Sequence, residues 1–542
     1  MILKKKNIII LVLLIMNVIS SFKMLYSLSL LDGIESFIRV LISLIIILML
    51  IGFLITYFRL IIENNKQYIK YIFTTIIYCL ILLIGSNFIL KIYKSLSKIS
   101  SNTNVYSVSI VVLKETSINN IKQIDNGKIG IINDYSSYEG NLIPKEIIKN
   151  ENIDNKIIEY DGYSKLLEAL YNKEITYAFL PTTYVEKFKN LDDKKYERLE
   201  EETRIIYTKE KEIKQSLEYK KITKEPFSIL IMGVDSEKEN LKKSYFNGDS
   251  LMLLTFNPNT LNTTIMSIPR DSYVPITCFN NTKSKITHAA IQGEDCIIKT
   301  IEKLIDIKID YYLKINFKGF VKVIDSLGGV EVDVPYSFCE QDSNRRWGSN
   351  TIYVEKGLQK LNGEQALALS RNRKNNTSKC SSKWTDGYRS DFVRGENQQL
   401  VLRAILNKLK DIDSINEITN LLDNISNSME TNLSTEQILS LYNIGKDIIV
   451  RSSNTSFDEL IGFKRLKLNG YDDRLYDEEA KMNLYEYVLY DESIKEVSKE
   501  MKTNLGLIKP ELIKEFSFDI NEDYEEKIIG VGNFNRKIDY DK

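Results

Sequence analysis

The chain reads as an α/β protein carried on three N-terminal transmembrane helices, with a small α/β domain ahead of a larger one. Three observations predict this. Apolar runs fill most of the first hundred residues, strand-like and helical patterns alternate from about residue 101, and apolar strands interleaved with helices between 226 and 411 form the pattern of a sheet covered by helices. At 542 residues the chain exceeds one ordinary domain. The expected units are an anchor over 1–96, an accessory α/β domain over 101–220, the larger domain over 226–411 and a helical, polar extension over 412–542.

The apolar runs, Asn7 to Ser29, Phe37 to Ile62 and Tyr68 to Ile92, match the roughly 20 residues that cross a bilayer core. No convincing cleavage site follows the first and two more spans come after it, so it is an anchor rather than a signal peptide. Lys4, Lys5 and Lys6 precede the first run, the connection from Leu31 to Glu35 is acidic, and Arg59, Lys66 and Lys70 flank the next connection. Basic residues concentrate on the cytoplasmic side, which puts the N-terminus inside and everything past the third span outside: a multi-pass protein of the cell membrane. Lys91, Lys94 and Lys98 pull the other way, but large domains translocate largely regardless of flanking charge, and the odd number of spans decides.

A Ser/Asn-rich link, Ser97 to Asn104, leads into strand-like runs at Tyr106 to Leu113, Lys128 to Ile132, Lys156 to Tyr160 and Tyr177 to Leu180, with a helical pattern at Tyr163 to Leu170. This domain looks like half of a solute-binding protein, yet shows no ligand-coordinating set, so a structural spacer is the favoured reading. Glu200 to Lys224 reads as a charged, solvated connector ending at Pro226. The larger domain follows with strands at Ser228 to Met232, Ser250 to Phe256, Thr263 to Ile268, Tyr311 to Ile315 and Gly329 to Val334. Its helices are near Cys296 to Ile305, Gly319 to Ser326, Gly363 to Ser370 and Asp391 to Leu409. Beyond it, Ser434-Thr435-Glu436-Gln437 opens a helix in capping-box form, before a polar tail rich in Asp, Glu and Lys.

Lys plus Arg equals Asp plus Glu at 73 each, so no global basic field exists and any anion site is local. No basic DNA-binding module is present, and no nucleic-acid partner is expected. A single His removes most zinc-hydrolase and His-relay readings, leaving the chemistry to Asp, Arg and Lys. Of five cysteines, Cys79 lies in an apolar run, while Cys278, Cys296, Cys339 and Cys380 fall in the later part. Outside the cell these four are expected in disulfides, neighbour with neighbour (Cys278 with Cys296, Cys339 with Cys380), although four cysteines allow three connectivities.

Two carboxylates sit where predicted strands meet loops: Asp235 in Gly233-Val234-Asp235-Ser236 and Asp249 in Asn247-Gly248-Asp249-Ser250. Two hard oxygen ligands with open positions suit Mg²⁺ or Mn²⁺ bridging a pyrophosphate, although Asp at a strand end is most often a turn or cap residue. Arginines then accumulate in Ser267-Ile268-Pro269-Arg270-Asp271 and Ser370-Arg371-Asn372-Arg373, and at Arg389 and Arg394. The planar guanidinium fork fits phosphate oxygens and keeps its charge; for any one Arg, surface ion pairing is the blander alternative. Asp391, Arg394 and Gln398 share one helical face that continues as Val401, Leu402, Ile405 and Leu409, so the first turns would bind and the later ones pack.

The order of these segments carries a resemblance. Ile229 to Asp235, Gly248-Asp249-Ser250-Leu251-Met252-Leu253, Ser267 to Val274 and Lys285-Ile286-Thr287-His288-Ala289 are followed by Asn316-Phe317-Lys318-Gly319-Phe320 and Asp325-Ser326-Leu327-Gly328-Gly329-Val330. Leu361 to Ala368, Arg371-Asn372-Arg373 and Asp391-Phe392-Val393-Arg394 complete the series. Together they resemble the LytR-CpsA-Psr catalytic domain nearly in full, over Pro226 to Asp411, about a third of the chain. The anchor and accessory domain resemble CpsA-like members, and the C-terminal segment an extension seen in some Bacillota relatives.

The resemblance implies an α/β/α sandwich and a Mg²⁺-dependent phosphotransferase of the polyisoprenyl-teichoic acid–peptidoglycan transferase type. Such an enzyme moves a glycopolymer from a polyprenyl-pyrophosphate lipid to peptidoglycan. It implies Asp235 and Asp249 at the metal, and Arg270, Arg371, Arg373, Arg394 and Gln398 on the phosphates. Lys285 and Asp391 match further positions of the pocket, and Asp271 or Asp391 would orient the attacking hydroxyl, with Arg270 beside it. The segments Asn316 to Phe320 and Val321 to Leu327 match a wall of the family's polyprenyl tunnel, though from sequence alone an ordinary core helix explains them. Asn247 and Asn397 stand where many members carry Arg, with Arg389 and Lys283 as candidate substitutes. His288 reads as structural. A polyprenyl-pyrophosphate hydrolase and a non-catalytic lipid-binding scaffold are the competing readings.

Overall fold

The computed structural model describes residues 5–31, 36–62, 68–100, 103–135, 137–191, 196–214, 225–234, 241, 248, 250–385, 387, 389–409, 415–451, 462–477, 482–509, 512–517 and 525–530.

Helices α1 (Lys5–Ser29), α2 (Ser36–Ile62) and α3 (Tyr68–Ile99) are all long and apolar enough to cross a membrane. The third does not stop at Ile92. It continues two turns, so the expected Ser97 to Asn104 link is helical as far as Ile99 and the anchor runs past residue 96. Those turns dock on the larger domain: Lys91 Nζ lies 2.6 Å from Asp423 Oδ2, Ser95 Oγ donates to Asp423 Oδ1 at 2.5 Å, and Ile99 is buried with Val323, Leu327 and Ile425.

The accessory domain has the strands β1 (Thr103–Leu113), β2 (Ile129–Ile132), β3 (Ile157–Tyr160), β4 (Tyr177–Pro181) and β5 (Thr203–Lys214), in the order β3-β2-β4-β1-β5. Helices α4 (Ile143–Asn150), α5 (Tyr163–Tyr171), α6 (Tyr184–Leu191) and α7 (Leu199–Glu202) complete it. The charged connector expected over 200–224 is, in its first half, the edge strand β5, paired antiparallel with the whole of β1. Its lysines hid it from a hydropathy reading. Charged residues on an outer strand discourage pairing with other chains, and Lys209 and Lys211 both reach Glu146 of α4. Tyr106 of β1 donates to Asp295 of the larger domain at 2.9 Å, tying the two domains together.

The larger domain is built on a six-stranded sheet. Its strands are β6 (Phe227–Val234), β7 (Ser250–Asn257), β8 (Asn262–Ile268), β11 (Tyr311–Asn316), β16 (Met429–Thr431) and β17 (Phe463–Lys467), in the order β16-β11-β6-β7-β8-β17. Between β8 and β11 come β9 (Tyr273–Pro275), β10 (Lys283–Lys285) and α8 (Glu294–Ile305). Two-residue periodicity sorts β6 cleanly: Leu230, Met232 and Val234 are buried on one face, while Ile229, Ile231 and Gly233 are half-buried on the other. The first face packs on α8 through Cys296, Ile297 and Ile301. The second faces α9 (Phe317–Ser326), α10 (Gly363–Arg371) and α11 (Asp391–Leu409). The result is an α/β/α sandwich.

Two further expectations are corrected. The strand expected at 329–334, β12 (Val330–Val334), does not join the sheet; it pairs with β15 (Gly357–Leu361), while β13 (Phe338–Glu340) pairs with β14 (Ile352–Val354). The segment past 411 is not merely a helical, polar extension. After α12 (Ile415–Ile425), β16 closes one edge of the sheet; after α13 (Thr435–Arg451), β17 closes the other. A hairpin of β18 (Gly470–Asp477) and β19 (Met482–Leu489) and the helix α14 (Asp491–Asn504) follow, and Val497 and Met501 of α14 enter the main core. A last pair, β20 (Leu512–Ser517) and β21 (Glu525–Gly530), ends the described residues. The capping box at Ser434 forms: Gln437 N donates to Ser434 Oγ at 3.1 Å, and Ser434 N to Gln437 Oε1 at 2.8 Å.

Candidate active site

Between the second face of the sheet and α9–α11 lies a cavity of about 410 Å³. Its body is apolar: Ile231, Leu313 and Ile315 from the sheet, Phe317, Phe320 and Val323 from α9, Leu402 and Ile405 from α11. Its mouth is cationic, lined by Arg270, Arg371, Arg373, Arg394 and Gln398.

Local packing explains how α11 supplies its share. A Cβ at Gly395 would fall 2.9 Å from the Ser267 Cβ, so glycine lets the helix close on β8. Ser267 Oγ donates to Gly395 O at 3.2 Å and accepts from Gln399 Nε2 at 3.0 Å. One face of α11 then presents Arg394, Gln398, Leu402 and Ile405 to the cavity in turn. Gln398 Nε2 donates to Ser370 O at 3.1 Å, fixing it beside Arg371.

Asp391 is the hub of the mouth. Its Oδ2 lies 3.1 Å from Arg394 Nη2 and 3.6 Å from Arg270 Nε, and its Oδ1 is 3.5 Å from Arg373 Nη1. Asp271 lies 2.7 Å from Lys285 Nζ and 3.5 Å from Arg270 Nε. Burial pulls the Asp271 carboxyl up, but Lys285, then Arg270 and Arg373, outweigh it and hold it below its usual range. Arg371 stacks 4.5 Å from the Phe317 ring centroid and donates to Asp342 O and Gln341 Oε1 at 3.1 and 3.3 Å. Four cationic side chains, Arg270, Lys285, Arg373 and Arg394, thus surround two carboxylates, with Arg371 nearby at the mouth, and the excess positive charge at the end of an apolar cavity is complementary to an anionic head on a hydrocarbon tail.

The structure therefore brings Arg270, Asp271, Lys285, Arg371, Arg373, Asp391, Arg394 and Gln398 together. Asp235 and Asp249 lie outside the described residues. They flank Val234 and Ser250, and the register sets Gly233 of β6 opposite Ser250 of β7 at the cavity wall. A Cβ at Gly233 would meet the Ser250 Cβ at 2.9 Å, so no further side chain fits between these strand ends. Asn247 is also outside the described residues. Asn397 is buried, donating to Tyr336 Oη at 2.6 Å and Leu369 O at 3.3 Å. The two candidate substitutes do not line the cavity: Arg389 stacks on Tyr336 at 3.5 Å, and Lys283 lies 5.9 Å from the Tyr273 ring. His288 is buried against Ser284 Oγ at 2.7 Å.

The cysteines are disulfide-bonded as neighbours, Cys278–Cys296 and Cys339–Cys380, with Cα atoms 5.8 and 6.5 Å apart. The second bond holds β13 beside the mouth, where Glu340 and Gln341 join the lining.

A model of the LytR_cpsA_psr family matches residues 184–503. The chain belongs to the LytR-CpsA-Psr family. Curated relatives include an uncharacterized protein of Staphylococcus aureus, 32% identical over 40% of this chain and 51% of the relative. The polyisoprenyl-teichoic acid–peptidoglycan teichoic acid transferase TagV of Bacillus subtilis is 34% identical over 41% and 53%, and TagT, of the same description and organism, 30% identical over 52% and 78%. The chain thus spans about half the length of the first of these relatives. Among solved structures, the crystal structure of B. subtilis TagV is 29% identical, covering 52% of this chain and 98% of that one, with a TM-score of 0.41.

The LytR-CpsA-Psr match runs through α14, and the site gains residues there that sequence motifs missed. Tyr487 N of β19 donates to Asp271 O at 2.8 Å, and the Tyr485 ring lies 5.8 Å from Lys285 Nζ. Glu486, fully buried between them in sequence, has no hydrogen-bond partner for its carboxylate among the described residues. Burial first, opposed by Lys285 and reinforced by Asp477 and Asp271, pushes its carboxyl up to about 8. The only sequence signal was the two-residue alternation of Asn483 to Val488, which no motif singled out.

Proposed function

We propose that this protein transfers a glycopolymer from a polyprenyl-pyrophosphate carrier to peptidoglycan outside the membrane. The observation that carries this reading is the union of an apolar cavity with a cationic mouth, a site shaped for a lipid-linked phosphate. The names of TagV and TagT, polyisoprenyl-teichoic acid–peptidoglycan teichoic acid transferases, support it.

The tail occupies the space under α9 and α11, and Arg270, Arg371, Arg373 and Arg394 hold the pyrophosphate oxygens, with Gln398 beside them. The acceptor hydroxyl, oriented by Asp271 or Asp391, attacks the sugar-linked phosphorus. A new P–O bond forms to the acceptor, the bond to the bridging oxygen breaks, and lipid monophosphate leaves as the hydroxyl proton passes to the carboxylate or solvent. Such chemistry depends on positioning and charge neutralisation, for which arginines suffice without His or Cys. Asp235 and Asp249 would hold Mg²⁺ or Mn²⁺, and the donor set fits in kind, two hard carboxylates lying two and one residues in sequence from Gly233 and Ser250, which line the cavity. The bound ion would supply further charge neutralisation at the pyrophosphate.

The outward orientation is supported by the disulfides, which persist in oxidising compartments. It is also supported by Lys91, whose charge is met by Asp423 and so weighs less against translocation. Full-length protein in nanodiscs, given a polyprenyl-pyrophosphate glycan and Mg²⁺ with and without peptidoglycan fragments, tests the proposal beside Arg270→Ala. Transfer that needs both acceptor and Arg270 is expected. Release of glycan phosphate without acceptor would make the protein a hydrolase, and binding without release a scaffold.

A further inference from the structure

The hairpin β18–β19 meets the active site at Asp271, Ser272 and Lys285, none of which lines the lipid cavity. We propose that its outer face is the docking platform for the acceptor glycan strand, a proposal that rests on the transferase reading above.

Strand alternation puts Asp472, Arg474 and Tyr476 of β18 and Asn483 and Tyr485 of β19 on one face, with Arg474 opposite Tyr485 and Tyr476 opposite Asn483. All five are exposed; Tyr476 keeps 49% and Tyr485 45% of its surface in solvent. Two large rings left open beside a reactive centre are not explained by core packing. A tyrosine ring offers a broad, rigid apolar surface at low entropic cost, and the carboxylate, amide and guanidinium around it supply hydrogen-bond partners. This mixture suits a sugar, whose C–H face can lie on a ring while its hydroxyls pair at the edge. Asp472 already accepts from Tyr485 Oη at 2.6 Å, which sets the ring's orientation.

The platform is fixed to the chemistry. Tyr487 N bonds Asp271 O, Ser272 and Tyr487 form a β-bridge, and the Tyr487 ring packs on Phe392 at 4.8 Å. Burial and Asp472 raise the Tyr485 phenol pKa most, but Asp271 and Asp391 also contribute, so the ring is within electrostatic reach of both carboxylates. Neither Tyr485, Lys285 nor Asp271 lines the cavity, whereas Arg270, Arg373 and Arg394 do. Donor and acceptor would thereby reach the same two carboxylates through different sets of side chains, as direct transfer between two bulky substrates requires.

The test uses the full chain in nanodiscs, a soluble peptidoglycan oligosaccharide as acceptor, and a fluorescent polyprenyl pyrophosphate as lipid probe. Tyr476→Ala with Tyr485→Ala is expected to raise the acceptor KM roughly tenfold, the scale of losing aromatic contacts. Lipid affinity should be unchanged, and Tyr485→Phe, which keeps the ring but loses the bond to Asp472 that orients it, should raise the acceptor KM less than the double alanine variant. An unchanged acceptor KM in the double variant, with transfer intact, overturns the platform alone. Failure of the parent protein to bind the lipid probe overturns the transferase reading and the platform with it. A weakened lipid affinity in the double variant would also overturn it, by showing that the hairpin serves the donor.

Discussion

Arg394 reaches back one helical turn to Asp391, Nη2 to Oδ2 at 3.1 Å, and the same carboxylate lies within 3.6 Å of Arg270 and Arg373. One acidic group therefore gathers three cations that would otherwise repel. Asp391→Asn is expected to cut transfer about a hundredfold or more, the scale of removing a positioned catalytic group. Affinity for polyprenyl phosphate should hold or tighten, because the arginines lose a competing anion. A parallel loss of lipid affinity would show that the carboxylate serves only to build the cradle.

Arg371 combines a stack on Phe317 with a fork to Asp342 and Gln341. Lysine keeps the charge and loses both geometries. Arg371→Lys should weaken pyrophosphate-lipid binding about tenfold, or about 1.4 kcal/mol. Displacement of a fluorescent polyprenyl pyrophosphate measures it, and parent-like affinity would reduce Arg371 to a point charge.

Glu486 gives a pH signature. Folded, it keeps its proton up to about pH 8 against an ordinary value of 4.5. Between those limits the native state binds more protons than the unfolded chain, so this group's contribution to stability falls as pH rises from about 4.5 to about 8 and levels off above. Its facing groups are Lys285, Asp477 and Asp271. Glu486→Gln should melt higher than the parent at pH 8 and converge with it near pH 4. Parallel melting curves at all pH values would show that the carboxyl is not held neutral.

The Cys339–Cys380 bond closes a loop of 41 residues, and Cys278–Cys296 one of 18. Each should contribute roughly 3 kcal/mol by restricting the unfolded chain. Replacing Cys339 and Cys380 with Ser should lower the Tm and also raise the Kd for lipid, since that bond holds Glu340 and Gln341 at the cavity mouth. Replacing Cys278 and Cys296 should lower the Tm with little effect on lipid. Equal effects on lipid binding would mean that the bonds act only through global stability.

The parts of the fold legible in the sequence were those with strong periodicity. Strands β6, β7, β8 and β11 carry apolar runs, and α11 shows at three- and four-residue spacing one face that is polar in its first turns and apolar in its later ones, although Leu402 and Ile405 of those later turns line the cavity rather than serve packing alone. The cationic mouth was legible because Arg270, Arg371, Arg373 and Arg394 sit in dense local motifs. What escaped were elements whose stability is tertiary. Strand β5 is an edge rich in Lys and Glu, β16 and β17 are short and held by sheet neighbours, and Glu486 gains its character only when the hairpin buries it beside Lys285. The extra turns of α3 were missed because Lys91, Lys94 and Lys98 look like a membrane exit, and only Asp423 shows one of them to be a docking contact.

The docking of α3 also sets a height. From Ile92, where the apolar span thins, to Ile99, buried under Val323 and Leu327, the helix rises about 10 Å at 1.5 Å per residue. A rigid rod of that length, fixed at its top to the wall of the tail cavity, allows the catalytic centre little travel from the bilayer. Under the proposed function, a lipid carrier would not need to leave its own surface, and the wall polymer would have to come down to meet it.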